Sequence, residues 1–446
     1  MSSNDFFGLE FGDSRLSGRC LKIAQEVGSN PALSFPRLAR DRGWLKGLYR
    51  FFANPKVTRE KIMAGHIRNT VERCFAAEVV LAIQDTTFLD YSHHPASEDL
   101  GLISGAQHSL GMGVHNVFAV SGQNKKPLGI LHQEIIVRAK KYPAMETYAQ
   151  RQWRPRESQK WLRGLGAVNE LLGRHPKVII VGDREADIYF FLRAVQAAGR
   201  GFVIRCAVNR RTTQGQLLNE IAGAQLKCVT QITLPRNGKR KKLRAELSLS
   251  SCVVQIKAPR KGRLSAEGLT VNVVVVQEIN PPVGVEPLHW ILLTSEAINS
   301  QENCLQVLKY YQMRWLIEDF HKGLKTGCQI ENRQLTTRAQ LEKVLGLFSV
   351  MVAQILLLRF WANQKDLLPE ENVLSNIQIE ILKNRFPRES GDLRPQIVLL
   401  LLARLGGFIG RKADGSPGWL TLMRGMYDLL LIEQGVILGQ QLVGKG

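Results

Sequence analysis

Negative charge is scarce in this 446-residue chain: 39 Asp and Glu stand against 60 Lys and Arg, a formal net charge of +21. The deficit points to a polyanionic partner, although charge alone separates neither DNA from RNA nor either from an anionic membrane. No basic amphipathic anchor stands out, which argues against the membrane. Long hydrophobic runs are also lacking. The longest apolar stretch, Val344–Leu358, carries Ser349 and Gln354 and falls short of the roughly 20 residues that cross a bilayer. It reads as a buried helix. The cysteines at 20, 74, 206, 228, 252, 304 and 328 form no C-x-x-C pair, which argues against a zinc knuckle or a disulfide framework and for reduced thiols in a cytoplasm. MSSNDFFGLEFGDSR at the start shows no charged-then-apolar pattern, so no signal peptide is expected. Internal repeats and low-complexity tracts are absent. A soluble protein is expected.

The length asks for two or three domains, and 44% hydrophobic residues provide ample core. Residues 1–70 read as helical: Ser14–Gly28 and Arg37–Phe52 have apolar residues at helical spacing, with Asp13 and Thr58 as caps. Arg15, Arg19, Arg37, Arg40, Arg42, Lys46 and Arg50 interleave with that pattern. One face of such a unit suits DNA; a solvated helix surface is the plainer alternative.

From Glu78 the period changes. Val79–Ile83, Val114–Val120, Leu128–Val137, Lys177–Val181 and Gly201–Cys206 read as strands, with helices over Glu157–Leu172 and Ala186–Ala198. That order predicts an α/β fold with a mixed sheet and helices on its faces. Residues 212–285 interrupt it with Gln231–Leu234, Ala245–Leu249, Val253–Lys257 and Val271–Gln277, parted by basic turns such as RNGKRKKLR at 236–244, and read as a β insertion. Leu288–Thr294 is a further strand, and one long helix is expected from Gln301 to Thr326. Asn363–Pro395 is more polar and reads as a linker or loose helix, before a last helical stretch.

Two acids close two of the apolar runs: Asp85 in IQDTT and Asp183 in VGDRE. On neighbouring strands, about 4.8 Å apart, the two carboxylates would emerge at one edge. Such a pair is costly unless protonated or bridged by cations. Mg²⁺ suits oxygen ligands and accepts phosphate oxygens, and two ions about 3.5–4 Å apart can serve both sides of an in-line displacement. Taken singly, each aspartate is equally well explained as a cap. Tyr311, Arg314, Glu318 and Lys325 share one helix face. That face is poor core material, and an acid between cations makes sense where a metal ligand meets phosphate. An exposed ion-pair ladder is the alternative.

These segments resemble the DDE transposases of the insertion-sequence-four family. The resemblance rests on DTT at 85–87, GDREADIY at 182–189 and the Tyr311–Arg314–Glu318–Lys325 block within RWLIEDFHKGLKTG, with ILHQE, EINPP, ILLTSE and ARLGGF in the same order. It runs from about residue 8 to 430. It implies an RNase H-like catalytic domain at 71–370 holding the β insertion, with a helical end-binding domain at 1–70 and a helical dimerisation domain at 371–446. It also implies Asp85, Asp183 and Glu318 as ligands of two Mg²⁺ or Mn²⁺ ions per site. Tyr311, Arg314 and Lys325 would hold phosphates of the transposon end, with Lys322 a further contact and Arg15 and Arg19 meeting DNA through GDSRLSGR. Trp290 and Arg205 fall where the family stacks and clamps a flipped base, though core packing also explains Trp290. Thr230 stands where a tyrosine would wall that pocket. A homodimer on double-stranded DNA in a bacterial cytoplasm, at the nucleoid, is implied. A nuclease without strand transfer and an inactive DNA-binding regulator are the rival readings. His93 and His94 are assigned no role.

Overall fold

The computed structural model describes residues 5, 9–29, 31–39, 41–103, 109–138, 157–233, 244–259, 268–362, 374–388, 395–411 and 417–443. The N-terminal part is helical, at Ser14–Ser29, Phe35–Leu38, Arg42–Ala53 and Arg59–Phe75. Oxygens of Asp13, Asp41 and Thr58 accept from the backbone N–H groups of Arg15, Trp44 and Lys61, satisfying donors that a helix start leaves free. The helix expected over Arg37–Phe52 is therefore two: Ala39 turns extended and Asp41 caps a new start. The expected boundary at 70 falls inside Arg59–Phe75, which packs on helix Arg338–Ala362 and on the sheet. Phe52, Ile62 and Val344 share one core. The N-terminal part is fused to the body rather than tethered to it.

Among the described residues, ten strands build one mixed sheet. They are β1 (Val80–Asp90), β2 (Gly101–Leu102), β3 (Leu110–Ser121), β4 (Pro127–Ile136), β5 (Val178–Gly182), β6 (Gly201–Arg205), β7 (Gln225–Thr233), β8 (Arg244–Ile256), β9 (Leu269–Glu278) and β10 (His289–Thr294). The order is β2-β3-β1-β5-β6-β10-β9-β8-β7, with β4 beside β3. β1, β5 and β6 run parallel, whereas β3 and β10 flank them antiparallel. Leu81 and Ile83 face one core and Val80 and Ala82 the other, the two-residue alternation of a strand covered on both faces.

The β insertion is not a separate module. β9 pairs with β10, so β7–β9 extend the same sheet that holds β1 and β5. The two strands expected at Ala245–Leu249 and Val253–Lys257 are one, β8, because Ser250–Cys252 keep the ladder to β9. The basic turn at 236–243 and the expected boundary at 370 lie outside the described residues.

Helix Arg338–Ala362 includes the apolar run Val344–Leu358. It is long and apolar enough to span a membrane by length and composition, yet 78% of that window is buried inside the fold. Helix Asn376–Arg385 lies within the stretch expected as a linker or loose helix, and Pro395–Leu405 and Trp419–Val443 follow. The last packs on Pro395–Leu405 and on Ser14–Ser29.

Candidate catalytic and DNA-binding site

Asp85 does not end its strand. β1 continues to Asp90 on the ladder to β3, with Asp85 opposite Asn116. What ends there is the parallel ladder to β5, whose last pair is Ile83 with Val181. Two residues further along each chain stand Asp85 and Asp183, where β5 turns away from the sheet. Asp183 caps that turn by accepting from the Glu185 N–H at 2.9 Å. Gly182 permits the turn to close over it: a Cβ there would lie 2.6 Å from the Cβ of Ala186 and 3.0 Å from Cδ1 of Ile204.

The helix expected over Gln301–Thr326 is also divided. Gln301–Gln312 tightens at Met313 and Arg314, where Arg314 N–H bonds the Tyr311 carbonyl at 3.1 Å. Trp315–Lys322 follows, and Gly323–Gly327 widens into a π-turn. The Tyr311–Lys325 spacing is therefore not read on one regular helix, yet Arg314 and Glu318 remain neighbours. Arg314 Nη2 reaches Glu318 Oε1 at 2.5 Å, and its Nη1 lies 3.5 Å from Asp85 Oδ2. One guanidinium bridges the strand acid and the helix acid.

The electrostatics reflect that crowding. Burial and the charge of Asp183 push the Asp85 carboxyl from its ordinary 3.8 to about 6, with Glu318 adding and Arg314 and the Thr86 N–H opposing. The folded protein thus holds this proton more tightly than the unfolded chain, so stability falls as pH rises through about 4 to 6. With the side chain only 18% exposed, the cost at neutral pH is at most about 3 kcal/mol. Asp85→Asn should recover much of it. Melts of the ion-free protein in chelator at pH 7.5 should rise while those at pH 4 barely move; a lower melting point at pH 7.5 would contradict the assigned repulsion.

Phosphate-contact candidates are distributed unevenly. Tyr311 is buried with its hydroxyl facing Arg314 and Arg205. Lys325 Nζ donates to the Phe88 carbonyl at 2.6 Å and lies 3.4 Å from Glu331. Lys322 is exposed. Trp290 is 7% exposed and meets Tyr311 edge-on at 5.4 Å; it shows no open face for a base as it lies. Arg205 Nη2 donates to the His289 carbonyl at 3.4 Å. Thr230 sits on β7, three strands from β10, or about 14 Å across the sheet.

Arg15 and Arg19 are exposed and stand apart from this cluster. Arg15 pairs with its own Asp13 at 3.1 Å. The exposed cations Arg15, Arg19 and Lys22 line Ser14–Ser29, and Arg42, Lys46 and Arg50 line Arg42–Ala53 at four-residue spacing.

Two surface features escaped sequence reasoning. Trp315, beside Arg314, is 48% exposed; a large aromatic at a solvent-facing position of RWLIEDF was the available signal. A cleft of about 670 Å³, lined by Tyr49, Arg50, His93, His94, Gln334 and Gln340 among others, lies between the N-terminal part and the loop after β1. His94 Nε2 bonds the Glu331 carbonyl there at 2.9 Å. No sequence spacing could have brought those segments together.

The three acids offer only hard oxygen donors, and their mutual repulsion at Asp85 is what a divalent cation would relieve; in chemistry they fit Mg²⁺ or Mn²⁺. Among the described residues, no three acidic, histidine or cysteine side chains are gathered closely enough to hold an ion as they lie. Arg314 occupies the gap between Asp85 and Glu318.

Residues 2–57, which carry both basic helix faces, match the family model described as transposase DNA-binding. The chain is also similar to a piggyBac transposase in a cryo-EM synaptic complex with hairpin DNA, at 10% identity over 91% of this chain and 78% of that one, with a TM-score of 0.39. A superposition that loose carries no argument. The chain thus joins a segment that matches the transposase DNA-binding model to a large mixed α/β sheet.

Proposed function

We propose that the chain is a cut-and-paste DNA transposase of the insertion-sequence-four type, resembling the transposon-five transposase, with an RNase H-like catalytic domain. The observation that carries the reading is Arg314 bridging Asp85 and Glu318, with the charge of Asp183 acting on Asp85, in a protein whose residues 2–57 match transposase DNA-binding. A DNA-binding regulator has no use for three acids so placed.

Asp85, Asp183 and Glu318 would hold two divalent ions, which when bound activate water and stabilise a leaving 3′ oxygen. The protein's own residues position and neutralise. Arg314, already between two acids, is placed to take a phosphate, with Tyr311 fixing its orientation and Lys322 and Lys325 adding charge along the same segment. The reaction course is hydrolytic nicking, hairpin formation and its opening, then transfer of the 3′ ends to target DNA. Trp290 and Arg205 serve a flipped base, which requires Trp290 to be uncovered on binding. The C-terminal helices pair two subunits across two ends.

The test is DNA bearing the inverted repeats that flank this coding sequence, incubated with protein and Mg²⁺. A nick at the repeat, a hairpin and joined products are expected. Hydrolysis that never yields joined strands would establish the nuclease instead.

The basic helix faces give a separate expectation. Arg15→Ala with Arg19→Ala should weaken end binding and reduce the slope of log K against log salt by about 0.9 for each lost phosphate contact. An unchanged slope in a salt titration would place those contacts elsewhere.

A further inference from the structure

Beneath the three acids runs a chain of buried polar groups that the proposed reaction does not use. Asn116 lies opposite Asp85 on β3, so the two side chains share a face of the sheet. Its Nδ2 donates to Nε2 of His321 at 3.0 Å. Its Oδ1 accepts from Gln133 Nε2 at 2.9 Å, and the same Nε2 lies 2.9 Å from Ser349 Oγ on helix Arg338–Ala362. All four residues are buried. His321 stands one turn after Glu318 on helix Trp315–Lys322, close to the same face.

Polar groups in such a core are costly unless they satisfy one another, and apolar side chains of similar size would pack there at lower cost. What the polar chain adds is direction. Phe320 stacks on Phe118 of β3 at 5.4 Å, but apolar contacts of this kind tolerate repacking. The segment that follows is tied to β1 by Glu331, which accepts from the Asp90 N–H at 2.9 Å; from residues 314–325 themselves the other polar links to the sheet among the described residues are Arg314 to Asp85 and Lys325 to the Phe88 carbonyl. Both belong to side chains assigned above to phosphate. When they turn to DNA, the bond from His321 to Asn116 remains.

We propose that His321 is a positioning residue: through Asn116 it fixes the helix that carries Glu318 against the strand that carries Asp85, and so sets the spacing of the acids. The inference rests on the metal-dependent reading above. Burial holds the imidazole down to about 3, with Lys325 and Arg314 nearby adding to the shift. It is neutral at every working pH, and its role is geometric.

The experiment uses the full chain, with Mn²⁺ binding followed by electron paramagnetic resonance without DNA and with nicking measured on end DNA. His321→Leu should fold and bind DNA in chelator as the parent does. Its Mn²⁺ affinity and its nicking rate should fall about 10–100-fold, the usual effect of losing a partner behind a metal ligand. His321→Gln, which can still accept from Asn116, should recover most of both. The pH profile of nicking should keep its shape in all variants. A His321→Leu protein with parental Mn²⁺ affinity overturns the inference, as does a glutamine variant no better than the leucine one. Should His321→Leu fail to fold, Asn116→Ala takes its place under the same criteria. If the parent itself neither binds Mn²⁺ nor nicks, the proposed function falls and this inference with it. A parent that does both beside an unaffected variant removes the inference alone.

Discussion

Alanine at Asp85, Asp183 or Glu318 is expected to abolish Mg²⁺-dependent nicking, by about a thousandfold or more, while binding of the DNA end survives. The size follows from how such catalysis is distributed. Where positioning and charge stabilisation supply most of the rate, losing one group of a set that acts together costs nearly as much as losing all. Binding is spared because the basic faces of Ser14–Ser29 and Arg42–Ala53 lie on other elements. The three variants differ in one respect. Glu318→Ala releases Arg314 from its 2.5 Å contact, while Asp85→Ala leaves that contact in place. Glu318→Ala should therefore bind the end somewhat more tightly. A gel assay in which any of the three nicks at the parental rate would remove that residue from the catalytic set.

Arg333→Ala is expected to cost about 3–5 kcal/mol, measured from the urea midpoint and slope. Arg333 is 2% exposed. Its guanidinium donates to the carbonyls of Leu33 at 2.5 Å, Cys328 at 2.7 Å and Pro31. It also lies 5.1 Å from the Phe35 ring and 4.9 Å from the Phe348 ring. Burial pulls it down to about 10, so it stays charged at neutral pH. Removing it leaves three carbonyls without their donor and a void between two rings. Arg333→Lys should recover only part of the loss, since an ammonium cannot reproduce the planar fork. The contacts join the start of Phe35–Leu38 to the segment after the acid-bearing helix, so cleavage should suffer more than end binding. A variant within 1 kcal/mol of the parent, on this roughly 3–5 kcal/mol scale, would mean the segment is held by other contacts.

Much of the body was legible because its strands are buried on both faces and read as short apolar runs. β5 and β6 were placed to within a residue or two, since Gly and charged residues bound them. Boundaries suffered wherever a local polar group competed with the period. Asp41 divides Arg37–Phe52 with its own cap, and the crowded turn at Met313 and Arg314 divides the long helix. β1 ran past Asp85 because its ladder to β3 continues after the ladder to β5 stops. That difference is invisible along one strand. Arg333 and His321 were passed over for a related reason: a single charged or aromatic residue inside a helical pattern gives no sign of the carbonyls or amides it will meet.

The sequence by itself determined the mixed α/β class, the basic N-terminal helices and the acids worth watching, because periodicity, charge and short motifs are local properties. Only the tertiary structure decided that the β insertion extends one continuous sheet and that the N-terminal helices share its core. It alone brought Arg314 between Asp85 and Glu318, and Asn116 beneath both through His321. Those arrangements depend on which strands pair and which helix faces meet. Partners hundreds of residues apart are chosen by packing the whole chain, and no spacing along it records the choice.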